Sequence, residues 1–446
     1  DGQLAALTST QLAALKDAQV QAMTSTQWNS LASDQIAGMS ARQISVIPSA
    51  TISLLSEDWI QALTSTQVFS LTTAQVHALT TTQIVAIPTG GNVGALTAAQ
   101  VQAMTTAQVA ALTTDQIPEV GTKAMAALST AQVAAIDADR IALLTNDQVN
   151  ALTTLTIPAL TTDQVQALTS DQLPSLLTGQ VAALKPTQMA ALLSEQVGVL
   201  TTSQIAALMP EQAKAMTSVQ LAGLDVSQVP ALRTSAVMVL SNDQLNSLSS
   251  DQVAALSTAQ IASLKTAQVA GLDVQLFQAF TTAQIPALSS QQAVSLTTAQ
   301  VASMSQDQLG VLGASILGAL TSAQVQALTV DLVQALSTTQ VAGLKRGQLA
   351  SLSVDQLAMW DDTQIKAISV DSIVGLTSTQ IDALSTDQVA ALKTNQIVAL
   401  GASQVAALNA EQLVALSSDQ LRAIETRDIA GMSGDQVAAL DTTQVS

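Results

Sequence analysis

The chain contains no cysteine and no tyrosine, and its 446 residues include one histidine, three phenylalanines and three tryptophans. The lack of cysteine excludes disulfides, thiolate metal ligands and a cysteine nucleophile. So few aromatic side chains cannot fill the core of an ordinary globular domain. The apolar 48% of the sequence is mainly Ala, Leu, Val and Ile.

Charge is scarce and mostly negative, since 14 Lys and Arg against 32 Asp and Glu give a formal net charge of −18. Phosphate binding needs clustered basic side chains, so nucleic acid is not an expected partner. A mean hydropathy of +0.38 is too high for a disordered chain. Polar residues interrupt the apolar ones every few positions, which argues against a membrane span of about 20 apolar residues. An acidic chain without thiols favours an extracellular or cell-surface location.

A glutamine recurs every eight residues, from Gln3 to Gln83 and, after one extra residue near 88–92, from Gln100 to Gln444. Of the 56 positions of this register, 44 are Gln. The other twelve are Thr51, Trp59, Asn92, Ala124, Arg140, Thr156, Ala236, Leu276, Ile316, Leu332, Ser372 and Asp428. So strict a spacing predicts a single continuous octad-repeat solenoid over residues 1–446, with a one-residue register insertion near 88–92.

Each octad carries the signals of a helix N-terminus. In Leu248–Leu256, Ser249 stands three residues before Gln252, which is a capping box, and Leu248 and Val253 occupy the positions of a hydrophobic staple. An acidic residue often precedes the Gln, where it meets the positive end of the helix dipole. These residues are Asp34, Asp115, Asp163, Asp171, Asp251, Asp307, Asp387 and Asp435.

One continuous helix is excluded, because eight residues at about 100° each would make the apolar stripe drift by about 80° per octad. The helix therefore breaks at each cap, with the residue after the Gln and the Leu three further on facing the core, as Val253 and Leu256 do. A small residue between them, as at Gly223, allows a neighbouring helix to approach. Such short helices are unstable alone, so the sequence predicts an all-α solenoid, a superhelix of one short capped helix per octad. A β-solenoid is the alternative.

A longer period is suggested by prolines and by replacements of the Gln that recur at multiples of forty residues, as at Pro48 and Pro88. This spacing suggests five octads per superhelical turn.

No catalytic, cofactor-binding or metal-binding residue is predicted. His77 lacks the partners of a zinc site or a catalytic triad and is interpreted as solvent-facing. The Asp residues form no calcium loop, and Pro88–Asn92 lacks the pattern of a phosphate loop and is interpreted as a kink or a repaired register slip. Trp28, Trp360, Phe277 and Phe280 fall at core positions, whereas Trp59 and Phe69 are candidates for exposed contacts.

The unit L-[ST]-x-x-Q-[VI]-x-A-L, approximated by Leu256–Leu264, resembles the octad arrays of very large repetitive bacterial surface or adhesin-like proteins. The resemblance implies a structural or adhesive extracellular protein that forms a surface fibre or filament. An enzyme is not expected, because the chain has no Cys, one His and no break in the repeat large enough for a pocket. Two alternatives are a solenoid that binds a polysaccharide, ice or a partner protein, and the stalk of a larger adhesin. The terminal octads are as apolar as the internal ones, so the expected partner is a second copy stacked end to end, or a longer repeat array.

Overall fold

The computed structural model describes residue 4 and residues 6–440, and it contains no strand within them. Their fold consists of 49 α-helices of four to six residues and five 3₁₀-helices of three residues. The prediction of an all-α solenoid of short capped helices is confirmed, and the β-solenoid alternative is wrong for the described residues. Gln3 and Gln444, the first and last glutamines of the register, lie outside those residues.

The chain divides into two compact units, Asp1–Leu232 and Arg233–Ser446, and each is described by itself. The prediction of one continuous domain over 1–446 stays a prediction. The α-helices of the first unit are Ser9–Ala13, Asp17–Ala22, Ser25–Asn29, Ser33–Ala37, Ala41–Val46, Ser49–Ile52, Glu57–Gln61, Ser65–Ser70, Thr73–Ala78, Thr81–Ala86, Ala98–Ala103, Thr106–Ala111, Thr122–Ala127, Thr130–Ala134, Ala138–Ile141, Asn146–Ala151, Thr162–Gln166, Gln172–Ser175, Thr178–Ala183, Pro186–Ala191, Ser194–Gly198, Thr202–Ala207, Pro210–Ala215 and Ser218–Ala222. Its 3₁₀-helices are Val93–Ala95, Ile117–Glu119, Ile157–Ala159 and Val229–Ala231.

The second unit repeats the same design. Its α-helices are Thr234–Val237, Asn242–Asn246, Ser250–Ala255, Thr258–Ser263, Thr266–Ala270, Val274–Gln278, Ser290–Ser295, Thr298–Ala302, Gln306–Gly310, Ala314–Leu317, Ser322–Gln326, Val330–Gln334, Thr338–Gly343, Arg346–Ser351, Val354–Ala358, Asp362–Ala367, Val370–Ile373, Ser378–Ala383, Thr386–Ala390, Thr394–Ala399, Ala402–Val405, Ala410–Ala415, Ser418–Arg422, Thr426–Ile429 and Gly434–Ala438. Its 3₁₀-helix is Ile285–Ala287.

The predicted capping boxes are present. The Gln252 N–H donates to Ser249 Oγ at 3.1 Å, and the Ser249 N–H donates to Gln252 Oε1 at 2.8 Å. Where the cap residue has no hydroxyl, as at Leu177, its N–H still donates to the Gln180 side chain at 2.7 Å. The Gln half of the box is therefore enough to begin a helix.

The predicted acidic residues mostly lie in first turns, as at Asp34, Asp163, Asp251, Asp307, Asp387 and Asp435. That prediction is wrong for Asp115 and Asp171, because their octads begin with a turn and the helix starts only after the acid. The core residues are as expected, with Val253 and Leu256 both buried.

A superhelical turn within each unit contains fewer octads than the five that the sequence suggested. Helices three octads apart pack side by side, for example Ala98–Ala103 against Thr122–Ala127. Side-chain hydrogen bonds link residues 28 and 31 apart. A turn therefore takes between three and four octads, and the five-octad hypothesis is wrong. The forty-residue recurrence of prolines and replaced glutamines does not follow the stacking.

Small residues allow the close packing that the sequence predicted. A Cβ built on Gly223 would lie 3.3 Å from Ser194 Cβ, and one on Gly343 would lie 3.0 Å from Ala314 Cβ. Both contacts come from a helix in the preceding turn, about three octads earlier in the chain. These distances are tight for any side chain larger than hydrogen, so the position directly before the core Leu limits the spacing between turns.

Candidate functional site

The octad position that usually holds Gln, called the slot below, is the most regular polar feature of the fold. Its Gln side chains are 0 to 7% exposed throughout the interior of both units. Gln204 is representative. Its Oε1 accepts the Thr201 N–H at 2.7 Å, and its Nε2 donates to the Leu173 and Leu176 carbonyls at 2.8 and 2.7 Å. Those carbonyls belong to the octad four positions earlier, so one amide joins two neighbouring turns.

The bond from Nε2 is important for stability because its acceptors are carbonyls near the C-terminus of a helix. The last carbonyls of a helix have no partner within it, and a buried carbonyl left without a partner costs about 1–3 kcal/mol. A Gln amide has one carbonyl oxygen and two N–H donors. It can therefore satisfy the N-terminus of its own helix and the C-terminus of an earlier one together. We name the repeated set of these Nε2-to-carbonyl bonds the glutamine ladder.

Sequence reasoning predicted the capping half of this role and missed the ladder. One signal in the sequence could have revealed it. A capping box accepts Glu as readily as Gln, yet none of the 56 slots holds Glu. Only the amide has hydrogens to donate to a second partner.

The ladder runs unbroken across the register insertion. Gln100 donates to the Val68 and Leu71 carbonyls, 32 and 29 residues earlier, and from Gln132 onward the spacing returns to 31 and 28. The extra residue is absorbed in the turn at Gly90 and Gly91, which have φ of 89° and 104°. Their N–H groups donate to the Glu119 carboxylate. The hydrogen bonds between turns therefore keep their partners on both sides of this segment.

Several replacements of Gln preserve a bond to the earlier turn. Ser372 Oγ donates to the Leu344 carbonyl at 2.6 Å, Asn92 Nδ2 to the Leu63 carbonyl at 2.9 Å, and Arg140 Nη1 to the Ala110 carbonyl at 2.9 Å. Leu276 and Leu332 fill their slots with apolar volume and are buried. Polar contact is therefore the common solution at this slot, and apolar packing is a second one.

The burial of the aromatic side chains agrees with the sequence predictions at all positions but one. Trp28, Trp360, Phe277 and Phe280 are buried, as predicted for core positions, and Phe69 is 60% exposed, as predicted for a contact residue. The prediction of an exposed Trp59 is wrong, because its ring is 1% exposed. It packs edge-on against Trp28 with ring centroids 5.9 Å apart. The Gln slot faces the preceding turn, so a large side chain placed there is buried.

His77 is exposed, as predicted, but its side chain is not idle. Its Nδ1 lies 2.9 Å from the Ala103 carbonyl in the following turn. Asn29 and Asn246 occupy the same position, two residues after the slot, and donate to the Leu54 and Gly271 carbonyls at 3.1 and 2.9 Å. His77 thus belongs to a second set of bonds between turns.

An open, mostly apolar groove with a volume of about 490 Å³ lies beside Phe69 in the first unit. Its other lining residues include Gly94, Leu96, Gly121 and Lys123. The glycines leave room beside the aromatic ring, and the lysine supplies a cation at the edge. Such a groove can accept a flat, partly apolar group, with the ring as a stacking face.

In two places, groups of the kind used in the ladder have no partner among the described residues. In the first unit, Gln11 and Gln19 are exposed and Gln27 is half-buried. Each caps its own helix, through the N–H of Thr8, Lys16 or Thr24, and their Nε2 atoms contact no acceptor among the described residues.

In the second unit, several side chains near residue 430 are more exposed than their interior equivalents. The position after the slot, buried in the interior, is 44% exposed at Ile429 and 54% at Val437. Together with Leu421, Ile424, Met432 and Leu440 they line a shallow groove. The Ile424 and Met432 carbonyls accept no hydrogen bond from the described residues.

Among residues 4 and 6–440, no three His, Cys, Asp or Glu side chains cluster as metal ligands would. No helix in the same part of the chain has the length and apolar character needed to cross a membrane. Asp361 caps its helix with a carboxylate, and its pKa is lowered by the hydroxyl of Thr363 and by the Gln364 N–H, at 2.6 and 2.8 Å from Oδ1. This cap stabilises its helix above the ordinary pKa of Asp and weakens as the pH falls through the lowered value.

Comparison with known proteins identifies the repeat. The model of the ALTTAQ repeat matches residues 56–89, 91–122, 121–154, 148–178, 175–210, 228–258, 237–274, 361–394, 389–418 and 414–446, which together make up more than half of the chain. No curated protein matches the sequence.

Among solved structures, APUM23-GGAAUUGACGG is similar with 11% identity over 96% of this chain and 92% of that chain, at a TM-score of 0.16. A likeness at this TM-score supports no inference about fold or function.

Proposed function

The chain belongs to the ALTTAQ repeat family, and we propose that it is a structural or adhesive protein of the cell exterior, without enzymatic activity, that forms a surface fibre by end-to-end stacking. The glutamine ladder is the observation that supports this proposal. We call one Gln amide with its carbonyl acceptors a rung of this ladder. Each rung joins the N–H donors of one turn to carbonyls of the turn before it, and such rungs recur along both units. An interaction of this kind can continue from one molecule to the next, because donors and acceptors lie on opposite sides of a turn.

Electron microscopy and sedimentation of the purified chain over a concentration series test the proposal. We expect fibres whose mean length rises with protein concentration, because a head-to-tail contact that does not close on itself gives open polymers. High salt is expected to preserve them, since the contact consists of amides and apolar groups and not of ion pairs. Single particles at every concentration would contradict end-to-end stacking and would favour a stalk within a larger adhesin.

A second candidate function is ligand binding in the groove beside Phe69, and the exposure of that ring is the observation that favours it. Sugar rings stack on aromatic faces, so a polysaccharide is the expected ligand. We expect an oligosaccharide panel to contain a member that raises the Tm of the wild type and not that of Phe69→Ala. Val85→Ala, at another exposed apolar residue outside the groove, is the control. A ligand that shifts Phe69→Ala equally would exclude this groove.

A further inference from the structure

The octad at the groove beside Phe69 lacks its rung. Its slot holds Ala124 and its cap residue is Gly121, so the helix has neither half of a capping box. A Gln in this slot would accept the Gly121 N–H and donate to the carbonyl of Leu96, 28 residues before the slot, as the interior glutamines do. Among the residues that the structure describes, the Gly121 N–H has no acceptor and the Leu96 carbonyl has no donor. This octad therefore leaves open the two groups that an amide joins elsewhere.

Two other octads without Gln obtain an amide from the preceding turn. Asn29 Oδ1 accepts the Ser56 N–H, 27 residues later, at 2.8 Å. Asn246 Oδ1 accepts the Asp273 N–H, also 27 residues later, at 3.0 Å. The residue in the same relation to the open N–H of the groove is Gly94, which has no side chain to offer. Both sources of an amide oxygen are thus missing at one place.

The open groups lie around a space of suitable size. Leu96 and Gly121 both line the groove of about 490 Å³, a volume typical of small-molecule sites. A Cβ built on Gly121 would have no neighbouring atom within 4 Å, so open space lies directly over that residue. The exposed ring of Phe69 lines the same groove. A hydrogen-bond donor, an acceptor and an aromatic face therefore surround one cavity.

We propose that this groove binds the acetamido group of an N-acetylated hexosamine within a polysaccharide, an inference that rests on the second candidate function above and names the class of sugar. The acetamido oxygen accepts the Gly121 N–H and the acetamido N–H donates to the Leu96 carbonyl, which is the pairing that a Gln amide makes at other rungs. The pyranose ring packs against Phe69. An amide side chain of another protein would supply the same two groups but would leave that ring exposed.

The acetamido group is also the basis of discrimination between sugars. A hydroxyl in its place offers a single oxygen, whereas the amide offers an oxygen and a separate N–H. A sugar without the group therefore leaves part of the site unpaired, which is costly for binding.

Isothermal titration calorimetry of the full-length chain tests this discrimination. The probes are trimers of N-acetylglucosamine and of N-acetylgalactosamine, each compared with the matching trimer of glucose or galactose. We expect at least one N-acetylated trimer to bind with a Kd lower than that of its match by about tenfold or more. Equal binding, or tighter binding of the unacetylated trimers, would overturn the assignment.

The variant Ala124→Gln tests the location, because its own amide would occupy the Gly121 N–H and the Leu96 carbonyl. We expect the affinity for the N-acetylated trimer to fall by about tenfold or more, with the helical circular dichroism retained. Ala236→Gln is the matched control, since it makes the same change at the other slot that holds Ala, in the second unit and outside the groove. This control is expected to bind as the wild type does.

A second variant, Gly121→Leu, blocks the groove without adding an amide. Leu occupies the same cap position at Leu177 and Leu193, and the space over Gly121 is open, so the fold accepts the change. Its control is Gly313→Leu, at a cap glycine of the second unit that also has no atom near a built Cβ. We expect binding to be lost in the first variant and kept in the second.

The outcomes separate this inference from the function on which it rests. If sugars bind in a manner that depends on Phe69 but show no preference for N-acetylated members, polysaccharide binding stands and the acetamido assignment is overturned. If Ala124→Gln and Gly121→Leu both bind as the wild type does, the missing rung is not the site. If no sugar binds, and dimers of the wild type disappear in Ala124→Gln, the amide comes from a second copy and the sugar proposal is wrong. If no sugar binds and no such dimers form, the second candidate function and this inference fail together.

Discussion

Replacement of Gln300 by glutamate is expected to lower the free energy of unfolding by about 3–5 kcal/mol at pH 7, the usual cost of an uncompensated buried charge. Gln300 is fully buried and donates to the Val269 and Leu272 carbonyls at 2.9 and 2.8 Å. Glutamate keeps the shape and the capping acceptor for the Thr297 N–H, but it turns a negative oxygen toward two carbonyl oxygens. Urea unfolding followed by circular dichroism measures the change.

The same substitution at Gln19 is the matched control. Gln19 also caps its helix, through the Lys16 N–H at 2.9 Å, but it is exposed, and its Nε2 donates to no carbonyl of the residues that the structure describes. Its replacement is expected to change the free energy of unfolding by less than about 0.5 kcal/mol, as is usual for surface sites. Equal effects at the two positions would show that the ladder contributes nothing beyond the capping box.

The loss at Gln300 is also expected to depend on pH. Burial raises the pKa of the introduced carboxyl above the unfolded value of about 4.3. The folded variant therefore holds its proton more tightly than the unfolded chain, and the destabilisation relative to wild type is largest at pH 7. It diminishes as the pH falls toward about 4, where the carboxyl is neutral and can donate one hydrogen. A deficit that stayed constant with pH would indicate a steric cause.

The features that act within eight residues could be predicted from the sequence. The capping box of Ser249 and Gln252 and the core face of Val253 and Leu256 depend only on local spacing, and the structure confirms them. The all-α fold and the position of the extra residue near Gly90 also follow from the local spacing of the glutamines and their caps.

The stacking could not be predicted in this way. The number of octads in a turn depends on the angle between successive helices, which is determined by the backbone at residues such as Leu256, with φ of −56° and ψ of 135°. A residue pattern that repeats every octad carries no information about that angle. The failed prediction for Trp59 has the same origin. Without the turn size, nothing in the sequence places the Gln slot against the residue 31 positions earlier.

The pair formed by Trp28 and Trp59 offers a direct test of the packing between a slot and the residue 31 positions earlier. Trp28 occupies the position after a slot, and Trp59 occupies the slot 31 residues later. Neither indole Nε1 has a hydrogen-bond partner among the described residues. This rung of the ladder is thus replaced by an edge-on aromatic contact. Trp59→Gln or Trp28→Val alone would leave a cavity beside the remaining ring, with an expected loss of about 2–4 kcal/mol.

The double variant, Trp28→Val with Trp59→Gln, recreates the pair found at most rungs and is expected to unfold within about 1 kcal/mol of the wild type. The valine fits a helix spaced for Val elsewhere, and the new amide can donate to the carbonyl of residue 28 and that of Leu31. Thermal and urea unfolding of the four proteins gives the coupling energy. Strong coupling would show that each rung is an exchangeable unit, in which a hydrogen-bonded amide or an aromatic pair can join two turns. Additive losses would instead mean that the two rings stabilise separate surroundings, and that the rung is not the unit in which this solenoid is built.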